Sequence, residues 1–221
     1  MSAYLTTENF RSFDPEKITR ISYRNLPHWD QKDTCAFVTF RLNDSLPHSA
    51  KEDFERKKRF WLTRHGWPTS LGEAEILDRL SPLEKRRFQR FACSRFHRIL
   101  DKGLGSCVLR DEKIREILIE IFHYAAGERY LLGNYVIMPN HVHILLQPCN
   151  GASLKACLGS IRHYSAREIN KSLNRKGALW QAEPFDHLVR SVSFFKKYQR
   201  YIRINPVCAK LQAEDFTIWA P

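Results

Sequence analysis

The sequence predicts an α+β fold: a ferredoxin-like antiparallel sheet with helices on one face, an inserted helical segment, and a C-terminal helix carrying Tyr201. Two observations carry this. Apolar, strand-like runs meet at Pro139-Asn140 as a hairpin, and the remaining elements fall in the order β-α-β-β-α-β once residues 48–105 are set aside. The 221 residues, 43% of them hydrophobic, suffice for one good core. The expected organisation is an N-terminal arm over 1–33, then a single domain over 34–221 with a helical insertion at about 48–105.

Residues 1–33 are polar and irregular, with Pro15 and Pro27, and read as an arm outside the core. From Thr34 to Leu42, β-branched and aromatic residues dominate, and Asn43-Asp44-Ser45 ends the strand. Residues 50–65 and 72–101 read as helices. Ser81-Pro82-Leu83-Glu84 is a capping box with proline at the first helical position, and Gly103 and Gly105 mark the end. Asp111 caps a periodic helix with Ile114, Ile117, Leu118, Ile121 and Phe122 on one stripe and Gly127 as its stop. Strands over 130–138 and 141–147 form the hairpin. Ser153 opens a helix over 153–171 with Leu154, Leu158, Ile161 and Ile169 inward. An extended piece runs from Leu179 to Val189, and Ser191 caps a last helix of roughly 192–204, stopped by Pro206.

The formal net charge of +12 points to a polyanionic partner, nucleic acid foremost. No segment approaches the ~18–20 uninterrupted apolar residues of a membrane span. The first ten residues lack the layout of a signal peptide, so a cytosolic protein is expected. The six cysteines are scattered without a Cys-x-x-Cys pair, which supports neither a zinc ribbon nor a disulfide framework. Asp101 to Cys107 lacks the Gly-x-Gly-x-x-Gly of a nucleotide loop, and Asp186-His187 has no Gly-x-Ser-x-Gly elbow to serve.

Met138-Pro139-Asn140-His141-Val142-His143 holds the first chemistry. Side chains alternate along a strand, so His141 and His143 share one face and Val142 and Ile144 the other. Imidazoles are the less apolar set, which assigns them to the sheet face that the helices leave open. Near the C-terminus, Tyr201 and Asn205 lie one helical turn apart. Two imidazole nitrogens and the Asn205 amide oxygen leave positions on Mg²⁺ or Mn²⁺ for phosphodiester oxygens. Tyr201 would be the nucleophile, a phenol that needs activation at neutral pH.

The His141-Val142-His143 run, Ser153-Leu154-Lys155, Leu179-Trp180-Gln181, Phe185 to Arg190, and Tyr201-Ile202-x-x-Asn205-Pro206 follow one order. That order resembles the REP-associated tyrosine transposases, single-tyrosine relatives within the HUH endonuclease superfamily. The resemblance implies that His141, His143 and Asn205 hold the divalent metal and Tyr201 attacks DNA. It further implies a metal-dependent enzyme that nicks and rejoins single-stranded DNA at hairpins through a 5′-phosphotyrosine, without a nucleotide cofactor. The chain would act as monomer or homodimer, away from membranes. Tyr198, three residues before Tyr201, reads as a packing or DNA-contacting residue.

Lys155, Arg162, Arg190, Lys197 and Arg203 belong to a basic C-terminal third that would track phosphates beside the site. Trp180 could stack on a base or fill the core. Two other readings stand beside the transposase: a non-catalytic module binding single strands on an open RRM-like sheet, and a metal nuclease that activates water.

Overall fold

The computed structural model describes residues 3–23 and 27–221; residues 1, 2 and 24–26 of the expected arm lie outside them. The chain forms two compact units, one of residues 1–43 with 106–221 and one of residues 44–105.

In the larger unit, β1 (Arg20–Tyr23) and β2 (Pro27–Asp30) form an antiparallel pair, and β3 (Ala36–Arg41) enters the main sheet. In the smaller unit, α1 (His48–Arg64), α2 (Glu73–Arg79) and α3 (Pro82–Leu100) surround a cluster of Leu62, Ile76, Leu80 and Phe88. The capping box opens α3: Glu84 N–H donates to Ser81 Oγ at 3.3 Å and Ser81 N–H to Glu84 Oε2 at 2.9 Å. The helical stretch expected over 72–101 is therefore broken at Leu80-Ser81, because Pro82 has no N–H to continue α2.

The larger unit resumes with α4 (Glu112–Tyr124), β4 (Tyr130–Met138), β5 (His141–Pro148), α5 (Leu154–Ser172), β6 (Phe185–Leu188), α6 (Val192–Cys208) and β7 (Thr217–Trp219). The strand order is β6-β3-β5-β4-β7, antiparallel throughout. Its first four strands have the ferredoxin-like order, and β7 extends the β4 edge. The α4 stripe of Ile114, Leu118 and Phe122 and the α5 stripe of Leu154, Leu158, Ile161 and Ile169 pack on Val38, Phe40, Val142 and Ile144. Burial of each such side chain stabilises by roughly 1.5–3 kcal/mol.

The second face differs from expectation. It is closed rather than open: Phe195 and Ile202 of α6 pack on Phe37, Val136 and Leu145, together with Leu5 of the N-terminal segment. The apolar positions of α6 recur at helical spacing, so that helix has a face to bury. The segment read as an arm outside the core is partly core. Leu5 is fully buried, its N–H donates to Leu132 O at 2.9 Å, and Leu132 N–H donates to Ala3 O at 3.0 Å. Gly133 makes room for it: a Cβ there would stand 3.1 Å from the Leu5 side chain and 2.9 Å from that of Leu145. Pro206 does not stop α6, which runs on to Cys208; it only withholds one N–H near the helix end.

All six cysteines are free thiols. Among the described residues, no helix is long and apolar enough to cross a membrane.

Candidate metal centre and nucleophile

The histidine strand starts directly after a turn that is held from two sides. Leu42 N–H donates to Asn140 O at 2.9 Å and Leu109 N–H to Pro139 O at 3.2 Å. With the turn held, the hairpin register is set, and His143 lies opposite Thr39 while His141 lies opposite Arg41. All four residues share the α6 face of the sheet.

The two imidazoles converge. Nε2 of His141 and Nε2 of His143 are 3.1 Å apart, with the rings at 75°. Both side chains are buried, 1% and 0% exposed. Their other nitrogens are engaged: Nδ1 of His141 is 2.7 Å from Asn140 Oδ1, and Nδ1 of His143 is 2.7 Å from Thr39 Oγ1. An amide oxygen can only accept, so His141 carries its proton on Nδ1 and turns the Nε2 lone pair toward His143. The same orientation of His143, donating from Nδ1 to the hydroxyl, would bring two lone pairs face to face. In that arrangement the two lone pairs could share a cation. Outer partners of this kind fix tautomer and ring orientation in metal-binding histidines.

From above the sheet, α6 adds the remaining groups. Tyr198 stacks on Phe37 with centroids 4.3 Å apart and rings within 8°. One turn on, the Tyr201 phenol oxygen lies 3.3 Å from Nε2 of His143. The following turn carries Asn205. Tyr198 and Tyr201 thus meet Phe37 and His143 in turn, and Asn205 follows Tyr201 by one further turn of the same helix. Asn205 is 2% exposed, and its buried Oδ1 has no hydrogen-bond partner. An orphaned buried acceptor is costly and calls for a ligand or cation. Among the described residues, no group of three His, Cys, Asp or Glu side chains could hold a metal ion, so a third protein ligand here would be of another type. Two imidazoles and an amide oxygen fit a hard or borderline divalent ion.

Motif reading missed three contributors. Asn140 and Thr39 orient the imidazoles, and Arg41 brings a cation, half-buried, to the position opposite His141. Burial lowers the Arg41 pKa, yet a guanidinium keeps its charge. Alternation along the strand ending Val38-Thr39-Phe40-Arg41 could have put Thr39 and Arg41 on one face, but not opposite the histidines.

The basic residues separate. Arg190, Lys197 and Arg203 are exposed at or on α6, on the histidine side, with Lys197 Nζ 5.8 Å from the Phe194 ring. Lys155 and Arg162 lie on α5, which covers the opposite face of the sheet. Arg162 donates to the carbonyls of Gln181 and Ala182, so it braces the chain before β6. The five thus do not form one surface beside the site, because α5 and α6 sandwich the sheet. Trp180 is core: it is 5% exposed, meets Phe40 edge-on, and donates from Nε1 to Ser165 Oγ at 2.9 Å. Asp186 and Glu183 bind the two ring nitrogens of His28, tying β2 to β6.

Residues 103–205 match the family model described as "Transposase IS200 like", and that segment holds both histidines, Tyr201 and Asn205. A solved structure described as a REP-associated tyrosine transposase bound to a REP hairpin overlaps 85% of this chain and 73% of that one, at 14% identity and a TM-score of 0.43. No curated protein matches the chain.

Proposed function

We infer from the family match that the chain is a DNA transposase of the IS200-like kind, and propose that it cleaves and rejoins single-stranded DNA near hairpin sequences through Tyr201. The observation that carries the finer reading is the convergence of the Tyr201 phenol and both imidazole Nε2 atoms on one point beneath α6.

In this reading His141, His143 and Asn205 hold Mg²⁺ or Mn²⁺, which when bound supplies charge stabilisation at the phosphoryl oxygens. Asn140 and Thr39 keep the Nε2 lone pairs aimed at that point. Arg41 adds fixed positive charge where negative charge develops, without reorganisation. The Tyr201 oxygen forms a bond to phosphorus, and the bond from phosphorus to the 3′-oxygen breaks. The phenol proton leaves to water, the departing 3′-oxygen gains a proton, and the 5′-phosphate stays on the tyrosine. Rejoining is the reverse attack by a 3′-hydroxyl, so no nucleotide cofactor is required. Single-stranded DNA hairpins are the proposed partner, with the enzyme working as monomer or homodimer in the cytoplasm.

The binding-module alternative needs an uncovered sheet face, and α6 occupies that face. Incubating the chain with single-stranded hairpin oligonucleotides and Mn²⁺, then running a denaturing gel, tests the proposal. A covalent protein–DNA band that needs Tyr201 is the expected result. Cleavage without any covalent band would replace the proposal with a water-activating metal nuclease.

A further inference from the structure

The smaller unit lies outside the matched segment for nearly all of its length. Residues 44–105 carry fourteen Lys and Arg against nine Asp and Glu. On α1, Lys57, Phe60, Trp61 and Arg64 recur at helical spacing, and His65 follows them. On α3, Phe91 and Arg95 lie one turn apart. These seven side chains line a depression of about 400 Å³, and none of them is a carboxylate.

Its floor is aromatic. Trp61 lies nearly parallel to Phe91, with centroids 5.8 Å apart and an angle of 26°, and stacks on His65 at 3.7 Å. Phe60 stands at the rim with 62% of its surface exposed. Two of the rings are paired with cations: the Arg64 guanidinium is 6.0 Å from the Phe60 ring, and that of Arg95 is 5.7 Å from Phe91. Lys57 is held by Asp53. A purely structural role would bury Phe60, and an ordinary solvated helix face would not gather rings between arginines.

From this geometry we infer that the α1–α3 depression is a second nucleic-acid site, which binds unpaired single-stranded DNA by stacking bases on Phe60 and the Trp61–Phe91 floor while Arg64 and Arg95 hold phosphates. Rings and cations alternating along a groove suit a single strand, whose bases offer free faces. A duplex hides those faces and would engage the cations alone. The choice of DNA among polyanions rests on the transposase reading; the chemistry of the site does not.

The test measures equilibrium binding of the full chain to a fluorescent oligo-dT strand in chelator, where no cleavage occurs. Phe60→Ala should weaken binding about tenfold with the salt dependence unchanged, as loss of one stacked base predicts. The Arg64→Glu/Arg95→Glu double variant should weaken it more and flatten the log–log salt slope by about 1.4, two phosphates' worth. Adduct formation at saturating concentrations of a hairpin whose single-stranded tail only just spans the cleavage site should be as in wild type for both variants, which separates failure here from failure at Tyr201. Unchanged melting temperatures exclude misfolding, and are expected because Phe60 and Arg64 are exposed and Arg95 only half-buried. Wild-type oligo-dT affinity in both variants would overturn the inference. So would equal affinity for duplex with no effect of Phe60, or tighter binding of polyglutamate than of oligo-dT.

Discussion

The phenol oxygen of Tyr201 stands 3.3 Å from Nε2 of His143, and that same nitrogen stands 3.1 Å from Nε2 of His141. In the tautomer that donates from Nδ1 to Thr39, the Nε2 lone pair of His143 faces two claimants, the phenol proton and any cation between the imidazoles. It cannot serve both. Loading with metal is expected to release the phenol from His143 and leave its oxygen to face substrate.

Tyr201→Phe removes that oxygen while keeping the ring's edge contacts with Phe37 and His143. Stability should change by only about 0.5–1.5 kcal/mol, the worth of one hydrogen bond. Hairpin DNA should bind as before, and the covalent band and its new 3′-hydroxyl end should be absent. Tyr198→Phe keeps the stack on Phe37 and should keep the adduct.

Asn205→Leu replaces a buried amide whose oxygen is unpaired with an apolar side chain of similar size. In chelator the melting temperature should hold or rise, since an unsatisfied buried polar group costs about 1–3 kcal/mol. The rise in melting temperature produced by Mn²⁺ in wild type should be lost. A variant that Mn²⁺ still stabilises fully would remove Asn205 from the ligand set.

Thr39→Val keeps the shape of the side chain and deletes the group that orients His143. Loss of such a partner typically weakens metal binding about 10- to 100-fold, readable by calorimetric titration with Mn²⁺. His141→Ala and His143→Ala should also cost stability, by about 1–3 kcal/mol, because each leaves a buried partner unpaired.

His28 contributes one pH dependence of stability. Burial works to lower its pKa, but the hydrogen bonds and charges of Glu183 and Asp186 outweigh that and raise it. A raised folded value means that its stabilisation is fully present below about pH 6.5, the ordinary imidazole value, and fades as pH climbs through the folded value. The melting difference between wild type and His28→Asn should accordingly be largest near pH 6 and shrink toward pH 9.

Charge reversal separates the two sides of the sheet. Arg190→Glu and Lys197→Glu should weaken hairpin binding and reduce the salt slope by about 0.7 each. Lys155→Glu, on the α5 side, should do neither. Equal losses from all three would mean that the strand wraps both faces.

Local chemistry made most of the elements legible in the sequence. The Ser81–Glu84 box, the Asp111 cap and the Pro139-Asn140 turn act over three or four residues, so the starts of α3 and α4 and the hairpin follow from neighbours alone. The alternation of His141, Val142 and His143 settles which side chains share a face, and helical spacing links Tyr201 to Asn205. What lies over that face was beyond local reach. Whether α6 covers it, or the segment around Leu5 joins the core, depends on long-range burial of apolar stripes with no partner near in sequence. Arg41 and Thr39 are a hundred residues from the histidines, and only strand register sets them opposite. The division of basic residues between α5 and α6 has the same cause: charge can be counted along a chain, but the side of the sheet it reaches is decided by packing.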